Sequence, residues 1–376
     1  MTSLSRWAVL TAGALVLPAV AYVRLDAREQ QQQQACLARG PVPLPSGAPT
    51  EPAPGSPARR GLVFVATGSA DRISIIDLAT GRRTDLASGI DEPHEVAVSP
   101  DGRWGVAAEF GDNAGNYAFD GKRLAVFDLK AKRLARVIDL GSYRGPHDLA
   151  FISPARFLVT VQTSKSVLEI DAADGRIVGA TPTNAVGSHT LAVTPDGLMA
   201  YTANEGDGTI TRLDIANRKA LAVHRVTTKS IEGIAVTSDG REVWTGVSDE
   251  GVVRVVDGAS GRVLANLTGF GQPQRMTSGT DGALVAITDF RCEVLQVADM
   301  RTRKVLGPVA GLPGAGVAKV LPDNRTAVVI MLDEREIAMV DLVDRRVLSR
   351  ISLGGLRRPD GVGPESLTRH FVTPNT

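Results

Sequence analysis

Cysteine, aromatic residues and excess charge are all scarce in this sequence. Its 376 residues include 2 cysteines, 3 tryptophans, 4 tyrosines and 9 phenylalanines. Two cysteines cannot build a disulfide-rich scaffold or an all-cysteine structural zinc site. The 42 basic and 41 acidic side chains leave a net charge of +1, which argues against duplex DNA or an anionic membrane surface as a partner. So few aromatic rings also argue against single-stranded nucleic acid, which binds by stacking.

The sequence motifs of several enzyme and cofactor classes are missing too. No Cys-x-x-Cys-His occurs, so no c-type haem is expected, and no P-loop or Rossmann fingerprint points to a nucleotide. The Gly-x-Ser-x-Gly elbow of hydrolases and the His-Glu-x-x-His zinc motif are also absent. A hydrophobic fraction of 43% with 22% charged residues is nevertheless ordinary for a globular protein.

The first 60 residues are predicted to lie outside the fold. Residues 1–23 contain an uncharged run, Trp7–Val23, that ends in the cleavage-like triplet Ala19-Val20-Ala21. This pattern predicts either a removable signal peptide or an uncleaved N-terminal anchor. Residues 24–60 are rich in Gln and Pro and are predicted to be a disordered linker. We therefore expect an exported protein, periplasmic or extracellular, which meets a membrane only if the anchor is retained. Cys36 in the linker and Cys292 are expected to be unpaired.

Two motifs recur through the rest of the chain. One is an aspartate that ends an alternating run and is followed five residues later by a basic residue, which predicts a tight turn held by side-chain-to-backbone bonds. The other is a strand that leads into a turn of the Pro-Asp-Gly type, as in PHEVAVSPDG (93–102) and SHTLAVTPDG (188–197). The first motif occurs at Asp77, Asp128, Asp171, Asp214, Asp257, Asp299 and Asp341.

These repeats predict an all-β, seven-bladed β-propeller over residues 61–367, followed by a tail at 368–376. The repeated aspartates are 51, 43, 43, 43, 42 and 42 residues apart, and each unit of that length holds about four strands. Four-stranded units repeated around an axis form a propeller. Three N-terminal strands and one strand within Asp360–Leu367 are predicted to complete the same blade and close the ring.

Two segments carry a resemblance to a known family. FVATGSADRISIID (Phe64–Asp77) and YTANEGDGTITRLD (Tyr201–Asp214), with the PHxxAVSPDG runs, resemble the YVTN-type repeat of seven-bladed, YncE-like propellers. No blade ends in Trp-Asp, as a WD40 repeat would. The resemblance implies the propeller fold and an exported location, and it implies little about activity because this fold serves many functions.

One ring of equivalent residues could carry chemistry. The positions that open the first strand of each blade should face the central channel, and three of the five histidines of the chain fall on consecutive members of this ring. We predict a divalent transition metal (zinc, copper, iron or manganese) bound by His94, His147, His189 and Glu232. The alternative is that each Pro-His pair caps its strand and hydrogen-bonds the neighbouring blade. The ring comprises His94, His147, His189, Glu232, Gln274, Gly316 and Asp360.

Further residues are predicted to line the channel mouth and to bind a ligand. The longer first repeat places extra residues in the loop Gly111–Lys122, which should emerge on the same face as the histidines. The predicted ligand-binding residues are Gln274, Asp360, Arg275, Arg144, Tyr117 and Asn116.

Two functions from different classes fit these observations. The first is an exported binding or scaffold propeller that uses its top face and channel, with or without a bound metal, to hold a small molecule or an envelope protein. The alternative is a metal-dependent hydrolase or lyase, lactonase-like, with the channel His/Glu cluster as its active site. Catalytic residues are not assigned by the sequence, and no nucleic acid partner is expected.

Overall fold

A computed structural model describes residues 61–67, 71–112, 114–309, 312, 314–331 and 336–352. In these residues the chain forms seven antiparallel sheets, six of four strands and one of three. Strands follow one another in chain order within every sheet, so each sheet is a meander that forms one blade. The prediction of an all-β, seven-bladed propeller is confirmed.

The three-stranded sheet, blade 7, comprises β1 (Leu62–Thr67), β2 (Arg72–Asp77) and β3 (Arg83–Ala87). Blade 1 comprises β4 (Pro93–Val98), β5 (Trp104–Glu109), β6 (Arg123–Asp128) and β7 (Arg133–Asp139). Blade 2 comprises β8 (Pro146–Ser153), β9 (Arg156–Val161), β10 (Ser166–Asp171) and β11 (Ile177–Pro182). Blade 3 comprises β12 (Ser188–Val193), β13 (Met199–Asn204), β14 (Thr209–Asp214) and β15 (Lys219–Arg225).

Blade 4 comprises β16 (Ile234–Val236), β17 (Glu242–Val247), β18 (Val252–Asp257) and β19 (Val263–Leu267), with a short 3-10 helix at Ser248–Glu250. Blade 5 comprises β20 (Pro273–Ser278), β21 (Leu284–Asp289), β22 (Val294–Asp299) and β23 (Lys304–Pro308). Blade 6 comprises β24 (Ala315–Val320), β25 (Thr326–Met331), β26 (Glu336–Asp341) and β27 (Arg346–Ser352).

The core lies between the blades rather than within any one of them. The second strand of blade 1, β5, is buried along its whole length, because both faces of its sheet are covered by neighbouring blades. The outermost strand of blade 3, β15, instead alternates exposed and half-buried residues. One apolar cluster accordingly combines Val106 of blade 1 with Leu149 and Val159 of blade 2. The innermost strands are thereby held side by side around the axis.

The aspartate motif forms the tight turn that the sequence predicts. Asp77 ends β2, and its Oδ1 accepts hydrogen bonds from the backbone N–H groups of Ala79 (2.9 Å) and Thr80 (3.0 Å). Asp171 accepts equivalent bonds from Ala173 (2.8 Å) and Asp174 (3.3 Å). The repeated aspartates therefore shape turns at the ends of strands and lie away from the axis.

One prediction about cysteine is wrong. Cys292, in the loop between β21 and β22, is disulfide-bonded, and the sequence contains one other cysteine, Cys36. A large separation in sequence is no argument against a disulfide, since the segment between Cys36 and Gly61 can span roughly 80 Å when extended.

Several predictions fall outside the described residues. These are the export segment and linker at residues 1–60, the closing strand within Asp360–Leu367 and the tail at 368–376. Within the described part of the chain, no helix is both long enough and apolar enough to cross a bilayer.

Candidate metal centre on the propeller axis

The innermost strands share a local irregularity at the predicted ring position. The pairing register of β4 shifts between Pro93 and Val96, and that of β8 shifts between Pro146 and Leu149. The innermost strands of blades 3, 5 and 6 shift at the equivalent place. An extra residue in a bulge breaks the alternation of a strand and re-aims its side chains. The bulges therefore add a second layer of axial residues, one position after the predicted ring: Glu95, Asp148, Thr190, Arg275 and Val317. Gly233 holds the equivalent position in blade 4.

The three ring histidines form a column of neighbouring rings. The ring centroids of His94 and His147 are 4.9 Å apart, and those of His147 and His189 are 3.8 Å apart with nearly parallel planes. Phe110, directly after β5, stacks on His94 at 4.8 Å and meets the edge of His147 at 4.4 Å. His147 is fully buried and His189 nearly so, so protein atoms surround both imidazoles.

The orientation of His147 is set by its neighbours. Its Nδ1 lies 3.1 Å from the carbonyl oxygen of His189, which can only accept a hydrogen bond. Nδ1 therefore carries the hydrogen, and neutral His147 presents the lone pair of Nε2. The hydroxyl of Thr160 donates to the same carbonyl at 3.0 Å. A ring held through Nδ1 by a backbone carbonyl is typical of histidines that bind metal through Nε2.

Two imidazoles and one carboxylate meet at this point. The Nε2 of His147 lies 3.5 Å from Oε1 of Glu95, and the Nε2 of His94 lies 4.0 Å from the same oxygen. One ligand atom from each of the three residues lies within 4.8 Å of those of the other two. His94, Glu95 and His147 together can hold a metal ion, and nitrogen and carboxylate donors suit zinc, copper, iron or manganese.

The other two predicted ligands make different contacts. The Nδ1 of His189 lies 3.0 Å from Oε1 of Gln162 and 3.3 Å from Oε2 of Glu205. Glu232 accepts a hydrogen bond of 2.8 Å from the side-chain amide of Gln274. The structure thus groups His94 and His147 with Glu95, places His189 beside them by stacking, and pairs Glu232 with Gln274.

Acidic groups outnumber basic ones around the axis. The guanidinium of Arg275 lies 3.6 Å from Oε1 of Glu95. Burial alone would lower the pKa of Arg275, but the charges of Glu95, Glu232, Asp148 and Glu205 raise it. Arg275 therefore faces four carboxyl groups, an arrangement that favours uptake of protons or of a metal ion.

Two of these carboxyl groups have strongly raised pKa values. Burial, together with the charge of Glu95, raises the pKa of Asp148 to about 7, although backbone amides donate to its carboxylate. Burial and the charge of Glu232 raise the pKa of Glu205 to about 7, against the lowering effect of Arg275. Both groups exchange a proton near neutral pH.

The loop Gly111–Lys122 covers the histidine column, as its length and position predict. The backbone N–H of Phe119 donates to Oγ1 of Thr163 at 2.6 Å, and that hydroxyl donates to the carbonyl of Phe119 at 2.7 Å. Phe119 stacks on Phe110 at 3.7 Å. The loop of blade 1 is thereby fastened to blade 2.

The predicted channel-mouth residues occupy different surroundings. Tyr117 and Asn116 have left-handed backbones, with φ of 58° and 53°. The pKa of Tyr117 is raised by burial and by the charges of Glu205 and Glu232. The guanidinium of Arg144 instead donates to the carbonyls of Gly141 and Tyr143 in its own turn. Gln274 and Arg275 belong to the axial layers, and Asp360 lies outside the described residues.

Sequence reasoning missed several members of the centre: Glu95, Asp148, Phe110, Gln162 and Glu205. Glu95 and Asp148 directly follow ring histidines in the motifs PHE and PHD, so a signal was present. Strict alternation sends adjacent residues of a strand to opposite faces, and only the bulge overturns that rule.

A cavity of about 500 Å³ adjoins the second axial layer. Its walls come from the innermost strands of blades 1 to 6, and it continues to the turns at their far ends, where Pro100, Pro195 and Pro322 lie.

Comparison with known proteins supports the fold, and it assigns no family, activity or ligand. No family model and no curated protein sequence matches this chain. Among solved structures, the hydrazine synthase of Kuenenia stuttgartiensis is similar, with a TM-score of 0.60 and 16% sequence identity over 83% of this chain and 99% of that one. The chain is a seven-bladed β-propeller. At such low sequence identity, structural similarity does not show that the two proteins share an activity or a ligand.

Proposed function

We propose that this protein is an exported binding propeller whose axial centre holds a divalent transition metal. The metal and the surrounding face would present a site to a small molecule or an envelope protein. The observation that carries the proposal is the meeting of His94, Glu95 and His147, whose ligand atoms lie within 4.8 Å of one another. Because Phe64–Asp77 and Tyr201–Asp214 resemble the YVTN-type repeat, we further propose that the chain belongs with the YVTN-type propellers.

Two features support a metal at this point, and a third supports export. The contact between Nδ1 of His147 and the carbonyl of His189 leaves Nε2 as a donor atom that faces Glu95. Acidic groups exceed basic ones around the axis, so a divalent cation would reduce the repulsion among the carboxylates. The disulfide at Cys292 is typical of oxidising compartments and supports an exported location.

The test is elemental analysis of full-length protein purified without a metal-affinity tag and reconstituted with each metal in turn. The wild type should bind one metal ion per chain, and His147→Gln and Glu95→Gln should both lose it. His224→Gln is the matched control, because His224 lies on the outer strand β15 and its variant should keep the metal. His189→Gln asks whether the third predicted histidine ligand contributes. Absence of bound metal in the reconstituted wild type would refute the proposal.

A second candidate is a metal-dependent hydrolase or lyase of the lactonase-like kind. The cavity of about 500 Å³ beside the Glu95 layer favours it, since a small substrate fits there. Reconstituted protein should then hydrolyse members of a lactone panel, and Glu95→Gln should abolish turnover. Stoichiometric metal without turnover on any lactone would leave the binding function and remove this candidate.

A further inference from the structure

A lysine stands in a ring of alanines inside the axial cavity. Three residues after each ring position, the innermost strands of blades 1 to 4 carry alanine, that of blade 5 carries Thr277 and that of blade 6 carries Lys319. All six side chains line the cavity of about 500 Å³. The alanines are Ala97, Ala150, Ala192 and Ala235. Small side chains on the other blades leave room for the long side chain of Lys319 and for a ligand beside it.

Lys319 is available to a ligand. It is the exposed residue of β24, between the buried Ala318 and Val320. Its ammonium group forms no hydrogen bond or ion pair with any residue in the described part of the chain. An ammonium group in a concave site attracts anions when no protein carboxylate is paired with it.

The neighbouring charges are already engaged. The two carboxylate oxygens of Asp148 accept hydrogen bonds from the backbone N–H groups of Leu149 (2.8 Å) and Leu191 (2.7 Å). Arg275 lies against Glu95, 3.6 Å from its carboxylate. Lys319 acts on Asp148 from a distance, since its charge lowers the pKa of that group. The donors of Lys319 are therefore not used by the acidic layer.

Polar groups line parts of the cavity, namely Glu95, Asp148 and Arg275 at the end next to the metal centre, and the hydroxyl groups of Thr194, Ser278 and Thr280 elsewhere. The rest of the walls are apolar. Besides the alanines they include Val98, Val193, Val236, Met276 and Leu321. The apolar side chains next to the ammonium group of Lys319 match a ligand with one anionic end and a hydrocarbon body.

We propose that the axial cavity binds a small organic anion, a carboxylate with a short hydrocarbon chain, whose charged end meets Nζ of Lys319. The hydrocarbon chain lies along the alanine ring toward the far turns. The site adjoins the proposed metal centre through Glu95, which lines one end of the cavity, whereas neither His94 nor His147 lines it.

Isothermal titration calorimetry on the full-length protein, with butanoate, hexanoate and octanoate as probes, tests the proposal. Hexan-1-ol and hexylamine serve as uncharged and cationic counterparts. Affinity should rise about fourfold for each added methylene, since each one buries apolar surface. Hexylamine should not bind, because its charge repels Lys319.

Lys319→Met keeps the length of the side chain and removes its charge. It should weaken octanoate binding by about tenfold or more, as loss of a charge-assisted hydrogen bond does. Lys304→Met is the matched control, since Lys304 is exposed on the outer strand β23, and its variant should bind as the wild type does. Lys319→Arg should retain binding.

Other outcomes would overturn the proposal: no binding of any carboxylate by the wild type, equal binding by Lys319→Met, or equal binding of hexylamine. Should Lys319→Met fail to fold by circular dichroism, Ala192→Leu narrows the cavity with the charge intact and should weaken octanoate more than butanoate. Titration of His147→Gln separates this site from the metal, because that variant should lose metal and still bind octanoate.

Discussion

Glu205 offers a sharp test of the electrostatics at the axis. Its side chain is 19% exposed and lies 3.3 Å from both His189 and Gln162. Burial and the charge of Glu232 raise its pKa from 4.5 to about 7. Between these two values the folded protein holds a proton that the unfolded chain has released, so stability falls as the pH rises through this window and levels off above it.

Replacing Glu205 by Gln removes this fall in stability with rising pH, because an amide does not titrate. The shift from 4.5 to about 7 corresponds to an upper limit of about 3 kcal/mol. Glu205→Gln should therefore be more stable than the wild type by up to about 3 kcal/mol at about pH 8, and the gain should nearly vanish at about pH 4.5. The amide oxygen of Gln can still accept the hydrogen bond from Gln162.

The assay is urea denaturation, followed by tryptophan fluorescence in buffer with a chelator, at both pH values. The buried Trp244 and Trp104 report unfolding. Glu336→Gln is the control, because it removes the same charge from an ion pair with Arg350 on the surface of blade 6 and should bring no gain that depends on pH. A Glu205→Gln variant that is less stable than the wild type at the higher pH would refute the reasoning.

Other perturbations test the packing, the ion pair of Arg123 with the buried Glu109, and the disulfide. Arg123→Met leaves the buried carboxylate of Glu109 unpaired, and it should cost about 2 kcal/mol at neutral pH. Although burial opposes it, Arg123 lowers the pKa of Glu109, so the cost measured by urea denaturation should shrink in acid as that carboxylate takes up its proton. Gly246→Ala would set a Cβ 2.2 Å from the carbonyl oxygen of Pro273, and its melting temperature should fall by several degrees for a loss of about 2 kcal/mol; an unchanged melting temperature would contradict the packing. Cys292 should resist maleimide labelling in denatured protein until a reductant is added, and labelling without reductant would contradict the disulfide.

The fold was predictable because its signals are local and repeated. Aspartates such as Asp77 and Asp171 shape turns through bonds within a few residues, and these turns recur with the period of one blade. The equivalence of His94, His147 and His189 follows from the same period. Each blade must bury both faces against its neighbours, so the repeat dictates which residues share a level on the axis.

The composition of the metal centre was less predictable. Glu95 follows a ring residue, and regular alternation would turn it away, yet the bulge in β4 brings it to His147. His189 is equivalent to His147 by sequence, but its Nδ1 contacts Gln162 of the preceding blade. Such contacts join side chains from different blades, and their distances depend on how the sheets pack.

The sequence by itself determined the seven-fold architecture and the ring of equivalent positions, since both arise from short-range patterns repeated along the chain. Only the tertiary structure decided which atoms converge. Bulges in the innermost strands placed Glu95 beside two imidazoles, and packing around the axis left Lys319 in a cavity among alanines. Both outcomes depend on residues far apart in sequence, whose separation is set by the geometry of neighbouring sheets.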